Sequence, residues 1–256
     1  MIWTIDQLDD QTGKVFFITG GNSGVGYEAA AHLRRANATV LIGARSAERG
    51  AAAADALRAI PGDGDVQVVA LDLADTASIR AADQSLRELT DGLDAIVNNA
   101  GIMQTPQQET ADGFELQFGT NHLGHFLLNA LTFDLVSARS GRIVPVSSIA
   151  HRQARGIRLG DPMFSDGYSP TNAYAHSKLA NLVYGLELAR RLEAAGSDVM
   201  SVSSHPGYSA TNLQSTGPTG AFKFVYKFTN AVLAQSATDG ALPGVFAAAG
   251  DDARNG

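Results

Sequence analysis

Six short apolar runs, each separated from the next by a longer stretch of helical pattern, constrain this chain more than any other feature. KVFFIT (14–19), TVLIG (39–43), VQVVAL (66–71), LDAIVN (93–98), RIVPVSS (142–148) and DVMSVSS (198–204) read as buried strands. Between them lie helical patterns at 25–35, an alanine-rich stretch up to residue 60, 76–89, 113–137 and 172–195. Strands that alternate with helices form βαβ units, and these units build a parallel sheet covered on both faces. The expected fold is therefore α/β, a doubly wound parallel sheet. No repeat, linker or low-complexity tract beyond alanine-rich helices interrupts the pattern, so residues 1–256 are expected to form a single domain. Pro145 fits its run poorly, because a proline has no N–H for the ladder and belongs at an edge or a bulge.

Composition narrows the function. Apolar residues make up 45% and charged residues 18%, enough for a substantial core. No apolar run reaches the length of a membrane span. The first residues, MIWTIDQLDDQTGK, are acidic and polar and do not resemble a secretory signal, so a cytoplasmic location is expected. The chain has no cysteine, which excludes disulfides, thiolate metal sites and cysteine nucleophiles. A net charge of -7 with no basic stripe argues against a nucleic-acid partner.

Directly after the first strand comes TGGNSGVG (19–26), with the spacing Gly20-x-x-x-Gly24-x-Gly26. Glycines let the backbone turn tightly and approach a pyrophosphate, and the helix that follows aims its first N–H groups at the phosphates. No lysine follows to serve a γ-phosphate, so a dinucleotide is expected rather than a triphosphate. Further on, NAYAHSKLAN (172–181) holds Tyr174 and Lys178 four residues apart, on one face of a helix. Taken alone, that pair also suits a partly buried tyrosine beside a surface lysine.

Together these motifs resemble the short-chain dehydrogenase/reductase family, over roughly residues 13–211. The family's T-G-x-x-x-G-x-G stands at 19–26, and its N-N-A-G at Asn98, Asn99, Ala100 and Gly101. Its adenine-contacting aspartate is Asp72, followed by Leu73, and its helix asparagine is Asn121 in TNHLGHF. Its serine lies in VSS (146–148), its Y-x-x-x-K is Tyr174 and Lys178, and its P-G-x-x-x-T is Pro206, Gly207 and Thr211. VSSIAH, the long loop before the tyrosine and AYAHSKLAN resemble the retinol-dehydrogenase-like and protochlorophyllide-reductase-like branch. Light-dependent protochlorophyllide reductases are associated with a functional cysteine, so that activity is not expected here.

The resemblance implies a Rossmann-like sheet and hydride transfer between a nicotinamide dinucleotide and an alcohol or carbonyl group. Tyr174 would be the general acid/base. A phenol has a reference pKa of about 10, and a neighbouring ammonium favours the phenolate. Lys178 would also hold the nicotinamide ribose, Ser148 would hydrogen-bond the substrate oxygen, and Asn121 would hold a water leading from Lys178 to solvent. Ser147 and Ser148 point to opposite faces of an extended strand, so only one faces the nicotinamide, and alignment to the family favours Ser148. Gly20, Asn22, Ser23, Gly24, Val25, Gly26, Asp72, Leu73, Asn99, Ala100, Gly101, Tyr174, Lys178, Pro206 and Thr211 would line the cofactor. At the end of the second strand an NAD enzyme places an acid on the adenosine ribose, but this chain has Ala44 followed by Arg45 and Ser46. A guanidinium in that position suits a 2′-phosphate, so NADP(H) is expected in preference to NAD(H).

Other features carry smaller expectations. His122 and His125 are spaced as a helical pair, but no third ligand accompanies them, and no metal is expected. His176 lies about 200° around its helix from Tyr174. His151 and His205 border the expected pocket and could touch substrate. FKFVYKF (222–228) reads as an amphipathic piece of a substrate lid at about 209–235, which would suit an apolar small-molecule substrate. The resemblance leaves room for a homodimer or homotetramer. Family members place a seventh strand after a helix at 237–249, so either the natural chain continues beyond Gly256 or the sheet is one strand short. The competing functions are a dinucleotide sensor without chemistry and a non-redox enzyme, an epimerase or dehydratase, on the same scaffold.

Overall fold

The computed structural model describes residues 3–206 and 236–256. Its strands are β1 (Val15–Thr19), β2 (Thr39–Ala44), β3 (Val66–Ala70), β4 (Ala95–Asn98), β5 (Arg142–Pro145) and β6 (Met200–Ser201). They form one sheet in the order β3-β2-β1-β4-β5-β6, and every pairing is parallel. The helices are α1 (Gly24–Arg35), α2 (Ala47–Arg58), α3 (Thr76–Leu89), a composite α4, α5 (Pro170–Ala194) and α6 (Ala237–Ala249). Helix α4 consists of a short turn at Leu116–Phe118, a π turn at Gly119–Leu123 and a regular stretch at Gly124–Ser137. The fold is the Rossmann-like, doubly wound sheet.

Period-two alternation distributes the core. Phe16 and Ile18 of β1 face one side of the sheet, with Val40, Ile42 and Val97, and pack on Ala30 and Leu33 of α1 and Val245 of α6. Phe17 faces the other side, with Leu41 and Ile96, against Leu86 of α3 and Leu128 of α4. Phe16, Phe17 and Ile18 are essentially inaccessible, and each such side chain stabilises the fold by about 1.5–3 kcal/mol relative to exposure. The strand order reverses between β1 and β4, and the carboxyl ends of these two strands open a crevice where such sheets bind ligands.

Three differences from the sequence reading have physical causes. The helix expected from residue 113 begins at Leu116, because Gly113 is left-handed (φ 80°) and the Glu115 carboxylate caps the N–H groups of Gln117 and Phe118. The helix read from 172 begins at Pro170, whose fixed φ suits the first helical position, with Ser169 as its cap. The strand read at 198–204 pairs continuously only at Met200–Ser201 and returns as a single bridge between Ser204 and Val146. Pro145, expected at an edge or a bulge, accounts for the interruption and is not at an edge. It sits in an interior strand, opposite Asn98 of β4. Its carbonyl accepts from Ser204 N–H at 3.1 Å, so its donorless nitrogen faces β6 too, where the ladder breaks.

The lid and FKFVYKF lie outside the described residues. After α6, Gly256 N–H donates to Ser201 O (2.8 Å) and Ser201 N–H donates to Asn255 Oδ1 (3.0 Å), along the outer flank of β6. Among the described residues the sheet has six strands.

Candidate active site

The crevice holds a cavity of about 500 Å³. Its floor is the turn from β1 into α1. Gly20 and Gly24 have φ of 66° and 58°, in the left-handed region that glycine adopts without strain. A Cβ on Gly26 would collide with Asn99 Nδ2 and come within 2.6 Å of Gly20 O, so the third glycine is required for close packing. Ser23 stands at the N-cap of α1 but makes no side-chain cap bond. Among the described residues the other five long helices all have such a bond, from Ser46, Asp75, Glu115, Ser169 and Ser236. The first N–H groups of α1, and the positive end of its dipole, are thus left for an anion.

Buried hydrogen bonds fix the loop after β4 to this floor. Asn99 Nδ2 donates to Thr19 O (2.8 Å) and Ala100 N–H to Thr19 Oγ1 (2.9 Å). Thr19 Oγ1 lies 2.9 Å from His125 Nε2, while His125 Nδ1 lies 2.9 Å from Asn121 O. A carbonyl can only accept, so Nδ1 carries the proton and Nε2 accepts from the threonine. Burial pushes the His125 pKa down to about 3, so the ring is neutral at ordinary pH. Sequence spacing paired His125 with His122. The structure turns them to different partners, for His122 Nδ1 meets Asn181 Oδ1 at 3.1 Å.

Asn121 lies within the π turn of α4, a local feature that often marks functional positions. Its Oδ1 accepts from Ile102 N–H (2.8 Å), and its Nδ2 donates to Ile102 O (2.9 Å) and Ser177 Oγ (3.0 Å). Gly101 lies between Asn121 and Lys178, since a Cβ there would be 3.1 Å from Asn121 Oδ1 and 3.6 Å from Lys178 Nζ.

Tyr174 and Lys178 both reach the cavity from α5. Lys178 is 3% exposed, and Nζ donates to Val146 O at 3.0 Å. Burial lowers its pKa from 10.5 to about 8. Asn181 Nδ2 donates to the same carbonyl at 3.2 Å. The two serines after β5 divide as their alternation requires. Ser147 Oγ is buried and donates to Lys178 O (2.7 Å). Ser148 Oγ lies on the cavity and accepts from Ala150 N–H (3.2 Å), and the Ser148 carbonyl accepts from His151 Nδ1 (2.6 Å). His176 turns away into an aromatic cluster with Phe118 and Phe164, where burial lowers its pKa to about 4. His205 is exposed, and its pKa is lowered by partial burial and then by the charges of His151 and Arg152.

The remaining wall holds Asp72 and Leu73 after β3, and Arg45 after β2. Arg49, one turn into α2, lines the same rim and was not singled out from sequence. Its signal was its place in the first turn of the helix that follows Arg45 and Ser46. Among the described residues, neither guanidinium is paired with a carboxylate. Every described residue expected to bind cofactor or act in catalysis lines the cavity except Asn121, which stands behind Gly101, while His151 and His205, expected at its border, are not among its lining residues. Thr211 and Gly207 lie outside the described residues.

The sequence model described as short chain dehydrogenase matches residues 14–221, and the chain belongs to that family. It is 43% identical to retinol dehydrogenase 11 of Mus musculus over 196 residues, 76% of this chain and 61% of that protein. The chain thus spans about three fifths of the length of such relatives. The likeness is to the retinol-dehydrogenase-like branch. The crystal structure of an uncharacterized protein from Mycobacterium Paratuberculosis superposes with a TM-score of 0.79 at 39% identity, covering 100% of this chain and 83% of that one. A short chain dehydrogenase from Burkholderia cenocepacia J2315, solved in complex with NADP, superposes with a TM-score of 0.73 at 25% identity, covering 93% and 91%.

Proposed function

We propose that the chain is an NADP(H)-dependent oxidoreductase that interconverts an alcohol and a carbonyl compound, with Tyr174 as general acid/base. The observation that carries this reading is convergence. One cavity receives the uncapped end of α1, two guanidiniums without carboxylate partners among the described residues and a tyrosine one turn from a buried lysine. The cradle fits a dinucleotide, because the left-handed turn at Gly20 and Gly24 and the uncapped N–H groups of α1 suit a pyrophosphate, while Gly26 lets the turn pack closely on Asn99. The short chain dehydrogenase solved with NADP supports the same assignment.

Gly20, Asn22, Ser23, Gly24, Val25 and Gly26 would hold the pyrophosphate end, and Asp72, Leu73, Asn99, Ala100 and Gly101 the adenosine and ribose. Pro206, and Thr211 from outside the described residues, would close over the nicotinamide. Arg45 and Arg49 would meet the 2′-phosphate, where a planar fork of donors suits its oxygens. The bound dinucleotide supplies or accepts the hydride. Tyr174 exchanges a proton with the substrate oxygen, and Ser148 donates a hydrogen bond to it. Ser147, committed to the Lys178 carbonyl, leaves that task to Ser148. Lys178 binds the ribose and stabilises negative charge on Tyr174. Asn121 fixes the Ile102 backbone beside Lys178 and holds the water that leads from it to solvent. Exposed Phe126, Val183 and Leu186 on α4 and α5 would form the contact in a homo-oligomer.

The test is NADPH consumption and NADP reduction by the purified chain over steroids, retinoids, quinones and small ketones with the matching alcohols. Turnover of at least one class is expected. Cofactor binding without turnover of any of them would favour a dinucleotide sensor.

A further inference from the structure

Gln104 lines the cavity in a backbone conformation its residue type disfavours. Its φ is 58°, in the left-handed region where a Cβ crowds the backbone and glycine would not. Three other described non-glycine residues share a positive φ: Asn37, Ser140 and Phe164. Asn37 belongs to a residue type that tolerates this region. Ser140 lies in the turn after α4, and Phe164 is buried against His176. Gln104 is the one that lines the cavity. Backbone strain persists where the surroundings over-determine it, and it concentrates at ligand sites.

The surroundings here do over-determine it. Gln117, fully buried in α4, accepts from Gln104 N–H through Oε1 at 2.9 Å. The same amide donates through Nε2 to Tyr168 OH (3.0 Å) and to Pro170 O (3.1 Å), the first residue of α5. Tyr168 OH in turn donates to Thr105 O at 3.0 Å. One buried amide thus locks the Gln104 backbone to the start of the helix that carries Tyr174. The Gln104 side chain meets Thr171, with Oγ1 and Oε1 3.2 Å apart, and among the described residues no protein group meets its NH2. Thr171 and Tyr174 both line the cavity. They are three residues apart on one helix face, so the polar pair sits roughly 5 Å along the axis from the tyrosine.

We infer that Gln104 and Thr171 form a second polar subsite, which binds a hydrogen-bonding oxygen of the substrate about one helical turn from the carbonyl reduced at Tyr174. The preferred substrates are then carbonyl compounds that carry a second oxygen, rather than single-oxygen compounds such as retinal. The inference rests on the reading of Tyr174 as the acid/base. What the strained non-glycine residue supplies at this position is the side-chain amide of the subsite.

The test compares wild type with Gln104→Gly on matched pairs, benzaldehyde with para-hydroxybenzaldehyde and cyclohexanone with hydroxycyclohexanone, with retinal alongside. Melting temperature is measured for both proteins. Wild type is expected to prefer the hydroxylated member of each pair. In the glycine variant that preference in kcat/KM should fall about tenfold, mostly through KM, while the melting temperature holds or rises because the strain is relieved. An unchanged preference, with wild type reducing both members, overturns the inference and leaves the function standing. Loss of melting temperature with both rates falling in proportion assigns Gln104 a structural role and also overturns it. If wild type reduces none of these compounds or the wider panel, the reading of the function fails, and the inference fails with it.

Discussion

Helices α1 and α5 serve the same cavity, yet their beginnings are built in opposite ways. Helix α1 starts at Gly24 with no side-chain cap, so its N–H groups face the crevice unspent. Helix α5 starts at Pro170 with a Ser169 cap, and Gln117 holds the Pro170 carbonyl. The difference follows from what each helix delivers. Helix α1 offers backbone dipoles, which a phosphate would satisfy in place of a cap. Helix α5 offers the side chains Tyr174 and Lys178, whose aim depends on a rigid start. The first construction is visible as glycines, whereas the second is spread over residues distant in sequence.

Breaking the α5 side should have the largest effects on chemistry. Tyr174→Phe keeps the ring and its packing but has no proton to exchange. Turnover should vanish while cofactor binding stays close to wild type. Retention of about a tenth of the wild-type kcat, a loss of only about 1.4 kcal/mol, would remove Tyr174 from its role.

Lys178→Met should lose both turnover and cofactor affinity, and yet be more stable than wild type near neutral pH. Burial lowers the folded pKa from 10.5 to about 8. Between those values the folded state binds fewer protons than the unfolded chain, so wild-type stability rises with pH across that window. Below about 8 the folded protein bears the whole burial penalty, on the order of 3 kcal/mol at the most. Methionine removes the charge, and the Val146 carbonyl keeps Asn181 as a donor. Urea unfolding at several pH values should show a gain of roughly 1–3 kcal/mol near pH 7, narrowing as pH rises above 8. A variant less stable than wild type at neutral pH would show that the lysine is a net structural support.

On the α1 side, Gly26→Ala should cost about 1–3 kcal/mol of stability through overpacking against Asn99 and Gly20. It should also weaken dinucleotide binding. The smallest effects compare the two caps. Ser169→Ala should cost about 0.5 kcal/mol, at the low end for a cap because its bond to Asn172 N–H is 3.4 Å long. Ser23→Ala should cost nothing measurable without cofactor, since no bond is lost. Equal losses in thermal unfolding would mean that the two starts are built alike.

The sequence made the local parts of this molecule legible. The strands and the glycine turn depend on contiguous residues, and they appeared where periodicity and spacing put them. Tyr174 and Lys178 shared a face because one helical turn dictates it. What was hidden is tertiary. The π turn around Asn121 was read as ordinary helix, because nothing in GTNHL distinguishes a five-residue turn from a four-residue one. His125 was legible only as one of a helical pair with His122, and the fold was needed to bring Thr19 to its ring. The short β6 follows from Pro145 in the neighbouring strand, a clash visible only once the two are paired. Gln104 and Gln117 carried no motif, because their roles arise from an amide placed between a loop and a helix end.

The choice of dinucleotide tests the account most directly, because it needs no substrate. Ala44 occupies the place of the acid expected in an NAD enzyme, and Arg45 and Arg49 line the rim without carboxylate partners among the described residues. Binding of NADPH and of NADH can be titrated for wild type and Arg45→Ala. Wild type should bind NADPH more tightly by about tenfold or more, at least roughly 1.4 kcal/mol. Arg45→Ala should weaken NADPH by roughly 1.5–3 kcal/mol, the scale of a charged hydrogen bond, and barely alter NADH. Equal or tighter binding of NADH by wild type would contradict the account.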